Sequence, residues 1–80
     1  MKLYAEIRQQ ALANIAERHR MHALAESLGT DPSDWEGYRS LNEMADFVEQ
    51  HTAAGHDTFV KPFGSRAALN ERIASARKAL

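Results

Sequence analysis

The sequence predicts an all-α protein: a compact bundle of three main helices with a short helix or turn near Trp35, forming a single domain over residues 1–80. Three observations carry that prediction. From Leu3 to Leu28 there is neither Gly nor Pro, and Ala, Leu, Glu, Gln and Arg dominate, all good helix formers. Ser40-Leu41-Asn42-Glu43 is a capping box, the sharpest local signal in the chain. Ser65 stands before a stripe of Leu69, Ile73, Ala76 and Leu80 at helical spacing.

The first helix carries two apolar stripes. Tyr4, Ile7, Ala11 and Ile15 fall on one face; Met21, Leu24, Ala25 and Leu28 fall on another, with Arg18-His19-Arg20 between them. One helix with two packing surfaces, or a mild kink, accounts for the offset, because no breaker is present. Gly29 supplies a C-terminal stop, and Pro32 follows. Asp31 then reads as an N-cap with Pro32 at the first helical position, and Asp34 and Glu36 lie near the positive end of the dipole. This predicts a short helix or turn from about Pro32 to Tyr38, with Trp35 and Tyr38 facing the core.

In the capping box, the Ser40 hydroxyl is expected to accept from the Glu43 amide while the Glu43 carboxylate reaches back to the Ser40 amide. The helix it opens sends Leu41, Met44, Ala45 and Val48 inward, keeps Phe47 and His51 at the edge, and stops at Gly55. His56 to Gly64 is the least regular stretch. Thr58-Phe59-Val60 has strand propensity, but Pro62 limits it, so the stretch reads as an extended connector. Ser65 caps the last helix. The expected core is Ile7, Ala11, Ile15, Leu24, Leu28, Trp35, Leu41, Met44, Val48, Leu69, Ile73 and Ala76.

Composition bounds function. A chain of 80 residues buries roughly 60% of its unfolded surface, which leaves little surplus stability without a staple or a partner. There is no cysteine, so disulfides and thiolate metal sites are excluded. The N-terminus has no apolar signal region, and no apolar run reaches the roughly 18 residues of a membrane span. A cytoplasmic location and no membrane partner are the resulting expectations.

Charge is segregated. Residues 29–57 hold Asp31, Asp34, Glu36, Glu43, Asp46, Glu49 and Asp57 against Arg39, a net −6; residues 58–80 hold Lys61, Arg66, Arg72, Arg77 and Lys78 against Glu71, a net +4. An overall charge of −1 therefore conceals a dipolar molecule.

Candidate chemistries are few. His19 and His22 share a helix face, and His56-Asp57 adds further ligand types, but the spacing matches no zinc signature and no di-iron pattern. Glycines are scattered singly, so no phosphate-binding loop is present, and the serines sit at caps, turns or helix ends. Neither catalysis, a metal nor a cofactor is expected. His22 to Gly29 resembles the first half of a helix-turn-helix motif, but the second helix would begin Asp31-Pro32-Ser33-Asp34-Trp35-Glu36, which presents acids to phosphates.

Three surfaces remain as binding candidates. They are an acidic face of Asp34, Glu36, Glu43, Asp46 and Glu49, an aromatic connector of Phe59, Lys61 and Phe63, and a basic patch of Arg18, Arg20, Arg66, Arg72, Arg77 and Lys78. They point to a small non-enzymatic protein-binding regulator or inhibitor that occludes or bridges a larger protein assembly, a class that includes phage and mobile-element proteins. The alternative is a nucleic-acid-associated regulator that uses a degenerate helix-turn-helix or the basic terminal helices. A homodimer is compatible with either, because the last helix ends in an apolar stripe.

Overall fold

Why α1 runs from Leu3 to Ser27 without interruption follows from its composition, and a computed structural model describing residues 3–78 shows it as one continuous helix. It ends in a Schellman motif. Gly29 takes φ 74°, its N–H donates to the Glu26 carbonyl at 3.0 Å, and the Thr30 N–H donates to the Ala25 carbonyl at 3.0 Å. A 3-10 turn over Pro32–Trp35 follows, then α2 (Leu41–Ala53), a second 3-10 turn (Lys61–Phe63) and α3 (Arg66–Lys78). There is no strand among the described residues. The all-α reading is therefore correct. Leu80, the last residue of the predicted stripe, lies outside the described residues.

Local capping matches the sequence in most of its detail. The Asp31 carboxylate accepts from the Ser33 N–H at 2.9 Å, and the Asp34 carboxylate accepts from the Asp31 N–H at 3.3 Å, closing a reciprocal box around Pro32. The turn is shorter than expected, stopping at Trp35. Ser40 Oγ accepts from the Glu43 N–H at 3.2 Å, as the sequence predicts. The return bond differs: Glu43 Oε2 accepts from the Arg39 N–H at 3.0 Å, one residue upstream of the predicted Ser40 N–H. The longer reach satisfies a donor just outside the helix. Ser65 Oγ caps α3 by accepting from the Ala68 N–H at 3.2 Å.

One core holds the elements together. It comprises Met21, Leu24 and Ala25 of α1 with Leu28 just past its end, Trp35 of the first 3-10 turn, Leu41, Met44, Ala45 and Val48 of α2, Phe59, and Leu69, Ile73 and Ala76 of α3. Trp35 is the pivot of the loop side. Its indole N–H donates to Thr30 Oγ1 at 2.8 Å, and that hydroxyl donates to the Ala25 carbonyl at 2.9 Å. The α1 stop thus also satisfies the buried indole. Tyr38, Phe47 and Phe59 surround the Trp35 ring with centroids at 5.0, 5.8 and 6.0 Å.

The core expectation fails at Ile7, Ala11 and Ile15. All three are exposed, and so is every residue from Leu3 to Ile15. The reason is length. At about 1.5 Å per residue, α1 spans about 37 Å, whereas α2 and α3 each span about 20 Å. The shorter helices pack along the C-terminal half of α1 and leave the N-terminal half standing clear, so the molecule measures 51 × 22 × 19 Å. Phe59, which the sequence left between core and surface, is core.

Substitutions in α1 should separate its halves. Leu24→Ala is expected to cost about 2–5 kcal/mol, and Ile7→Ala to fall within about 0.5 kcal/mol of the parent, both read from urea midpoints. Thr30→Val removes the acceptor for the Trp35 indole and should cost about 1–3 kcal/mol.

Asp31 gives a pH signature. The Ser33 backbone N–H, then the Ser33 side chain, hold its carboxyl below the ordinary value. A depressed folded pKa contributes stability that is present above the unfolded pKa and lost as pH falls through the folded one. Asp31→Asn, which keeps the cap but does not titrate, should show a shallower loss of stability below about pH 4.

Candidate functional site

The acidic middle and the basic tail meet each other. Asn42, Asp46 and Glu49 lie on one face of α2, and Arg77 of α3 reaches all of them. Its guanidinium donates from Nη1 to Asn42 Oδ1, and from Nη2 to Asp46 Oδ1 at 2.9 Å and to Glu49 Oε1 at 2.7 Å. The bond to Glu49, and then that to Asp46, raise the Arg77 pKa above its ordinary value. Arg66 Nη2 donates to the Thr52 carbonyl at 3.1 Å and so caps the C-terminal end of α2. Arg72 Nε donates to Ser27 Oγ at 3.1 Å, and that hydroxyl donates to the Ala23 carbonyl at 2.9 Å. Three arginines of α3 therefore fasten it to its neighbours.

The other sequence candidates are placed as follows. Asp34 and Glu43 serve as capping partners, and Glu36 is exposed. Lys61 is exposed and stands 4.0 Å from Asp57, a solvated pair of little energetic weight. Phe59 is buried, and Phe63 is half-buried against the core, so the connector closes one end of the core. Arg18 and Arg20 are half-buried on α1; Arg18 lines a shallow polar hollow with Asn14, Glu17 and Arg39. Lys78 is exposed. Among the described side-chain hydrogen bonds and ion pairs, none joins Arg18 or Arg20 to the tail arginines.

The helix-turn-helix geometry is not formed by the predicted element. Its second helix is a four-residue 3-10 turn with Trp35 buried in the core, which leaves no helix to enter a groove. Among the described residues, no cluster of three or more His, Asp or Glu is arranged to hold a metal ion. His19 and His22 are exposed. His51 and His56 stack at 4.4 Å because the second Schellman motif, closed by Gly55 at φ 99°, folds His56 back over the last turn of α2. An open groove of about 410 Å³ runs between α2 and α3 past Gln50, Ala53, Arg66 and Ile73. No described helix is long and apolar enough to cross a membrane.

What stands out is the arm. Leu3, Tyr4, Ile7, Leu12 and Ile15 are 51–81% exposed, and among the described residues Phe47, at 39%, is the other exposed large apolar side chain. At about 100° per residue, Leu3, Tyr4, Ile7, Ala11 and Ile15 share an arc of about 120°. The buried stripe Met21, Leu24, Ala25 and Leu28 is centred about 80° round the axis from it. The offset is visible in the sequence; with the unequal helix lengths of the structure it marks residues 3–15 as a surface that nothing among the described residues covers. No protein-family model, curated protein or solved structure matches the chain.

The Arg77 clamp is partly solvated, so Arg77→Met is expected to cost no more than about 1 kcal/mol, and the loss should shrink as salt rises from low to molar concentration. Because the folded pKa is raised, the clamp contribution persists below the unfolded pKa and is lost only in strong alkali as pH passes the folded value.

Proposed function

We propose that this chain is a small non-enzymatic protein-binding regulator or inhibitor, acting by occluding or bridging a larger protein assembly, and that the α1 arm over residues 3–15 is a protein-binding surface. The observation that carries this reading is the concentration of large exposed apolar side chains on that arm. A contiguous exposed apolar patch on a soluble domain marks an interaction site, whereas single exposed apolar residues need no explanation. A projecting helix with anchors at i, i+3, i+7 and i+11 suits insertion into a groove or pairing with another helix.

The segregated charge supports the same reading indirectly. Arg66, Arg72 and Arg77 are engaged within the fold, which weakens the case for a phosphate-binding tail. Asp46 and Glu49 are likewise committed to Arg77. The arm carries only Glu6 and Arg8 as charges between Leu3 and Ile15, so its recognition chemistry is apolar.

Capture from lysate of the source cell by the tagged full chain, with and without nuclease, tests the reading. The expected result is a stoichiometric protein that survives nuclease and is lost with Ile7→Glu/Ile15→Glu. Both residues are exposed, so the fold should be unaffected. Recovery that nuclease abolishes, or that the double variant leaves intact, would contradict it.

A further inference from the structure

We infer that the arm's partner is a second copy of this chain, and that the two arms pair antiparallel about Ala11. The inference rests on the arm being a protein-binding surface and names what it binds.

Surface area is the first argument. A compact monomer of 9.0 kDa is expected to expose about 4,900 Å². This chain exposes 5559 Å², an excess of about 700 Å², against about 800 Å² per partner in a standard stable interface. The radius of gyration agrees: it is 14.5 Å, against about 12 Å for a compact chain of this length. The large apolar side chains left exposed lie mostly on the arm, so the arm of a second copy covers the surface that most needs covering.

Complementarity is the second argument. With Ala11 on the two-fold axis, Ile7 faces Ile15 of the other copy, Tyr4 faces Arg18, and Arg8 faces Asn14. Ala11 lets the helix axes approach closely at the crossing. The Tyr4 ring receives the Arg18 guanidinium over its face. Asn14 falls inside the apolar arc, accepts from Gln10 Nε2 of its own helix at 3.1 Å, and in this register meets Arg8 of the other copy rather than a second Asn14. Parallel arms would instead set Arg18 against its own copy and align the helix dipoles. The bundle packs on a face about 80° from the stripe, so a partner helix lying along the stripe passes beside the bundle. The resulting object has a bundle at each end, a shape suited to bridging two sites.

Helix stability is the third. An isolated helix of about 13 residues is marginal in water, and every residue of the arm from Leu3 to Ile15 is exposed. Pairing supplies the missing packing.

Sedimentation equilibrium of the full chain, from about 1 to 200 μM, is the test. The expected mass is twice the 9.0 kDa chain mass at the upper concentrations, returning to 9.0 kDa for Ile7→Glu/Ile15→Glu with Trp35 fluorescence unchanged. The chain lacks cysteine, so Ala11→Cys should give a disulfide-linked dimer on oxidation and Tyr4→Cys should not. A monomer throughout the range overturns self-pairing; if the arm then captures a different protein, the protein-binding reading stands, and if it captures none, both fail. A dimer indifferent to the double variant overturns the arm as the surface, and equal cross-linking at both cysteines overturns the antiparallel arrangement.

Discussion

The packing of Met21, Leu24, Ala25 and Leu28 against α2 and α3 is the constraint on which the rest of this protein depends. These residues occupy only the C-terminal half of a 25-residue helix and the position just past its end. Their position decides which part of α1 is core and which part is left outside. It also places the Gly29 stop beside Trp35, so that Thr30 both ends the helix and satisfies the buried indole. Ending a helix, seating an aromatic ring and turning the chain toward α2 are accomplished by a handful of neighbouring atoms.

Charge then locks what apolar packing positions. Arg66, Arg72 and Arg77 each reach a different partner: the C-terminal end of α2, the C-terminal end of α1, and the acidic face of α2. Individually such partly exposed contacts contribute little. Together they supplement the packing of Leu69, Ile73 and Ala76, which seats α3 on the core. The dipolar charge layout thus has a structural use, and a surface that looked available for partners is largely spoken for within the chain.

Much of the fold was legible in the residues. Asp31, Ser40 and Ser65 announced their caps, Gly29 and Gly55 announced stops, and the inward faces of α2 and α3 followed from spacing. Arg39 in place of Ser40 as the Glu43 donor was not legible, because both amides lie within reach of the same flexible side chain. The candidate site was legible only in part. Ile7 and Ile15 obey the same periodicity as true core residues, and periodicity reports that a helix has an apolar face without saying what covers it. The covering depends on partner lengths. The cap at Ser40 and the stop at Gly55 bound a helix about half as long as α1. The burial of Phe59, by contrast, depends on how the connector folds back under Trp35, which no local pattern encodes.

The division of α1 into a packed half and an available half is the central claim, and amide hydrogen exchange resolved along α1 at two protein concentrations measures it most directly. Residues 21–28 should be strongly protected at both concentrations. Residues 7–15 should exchange rapidly when dilute and become protected when concentrated. Strong protection of residues 7–15 that persists in the dilute Ile7→Glu/Ile15→Glu variant, in which pairing is abolished, would mean that the arm is packed within its own chain, and would contradict the claim.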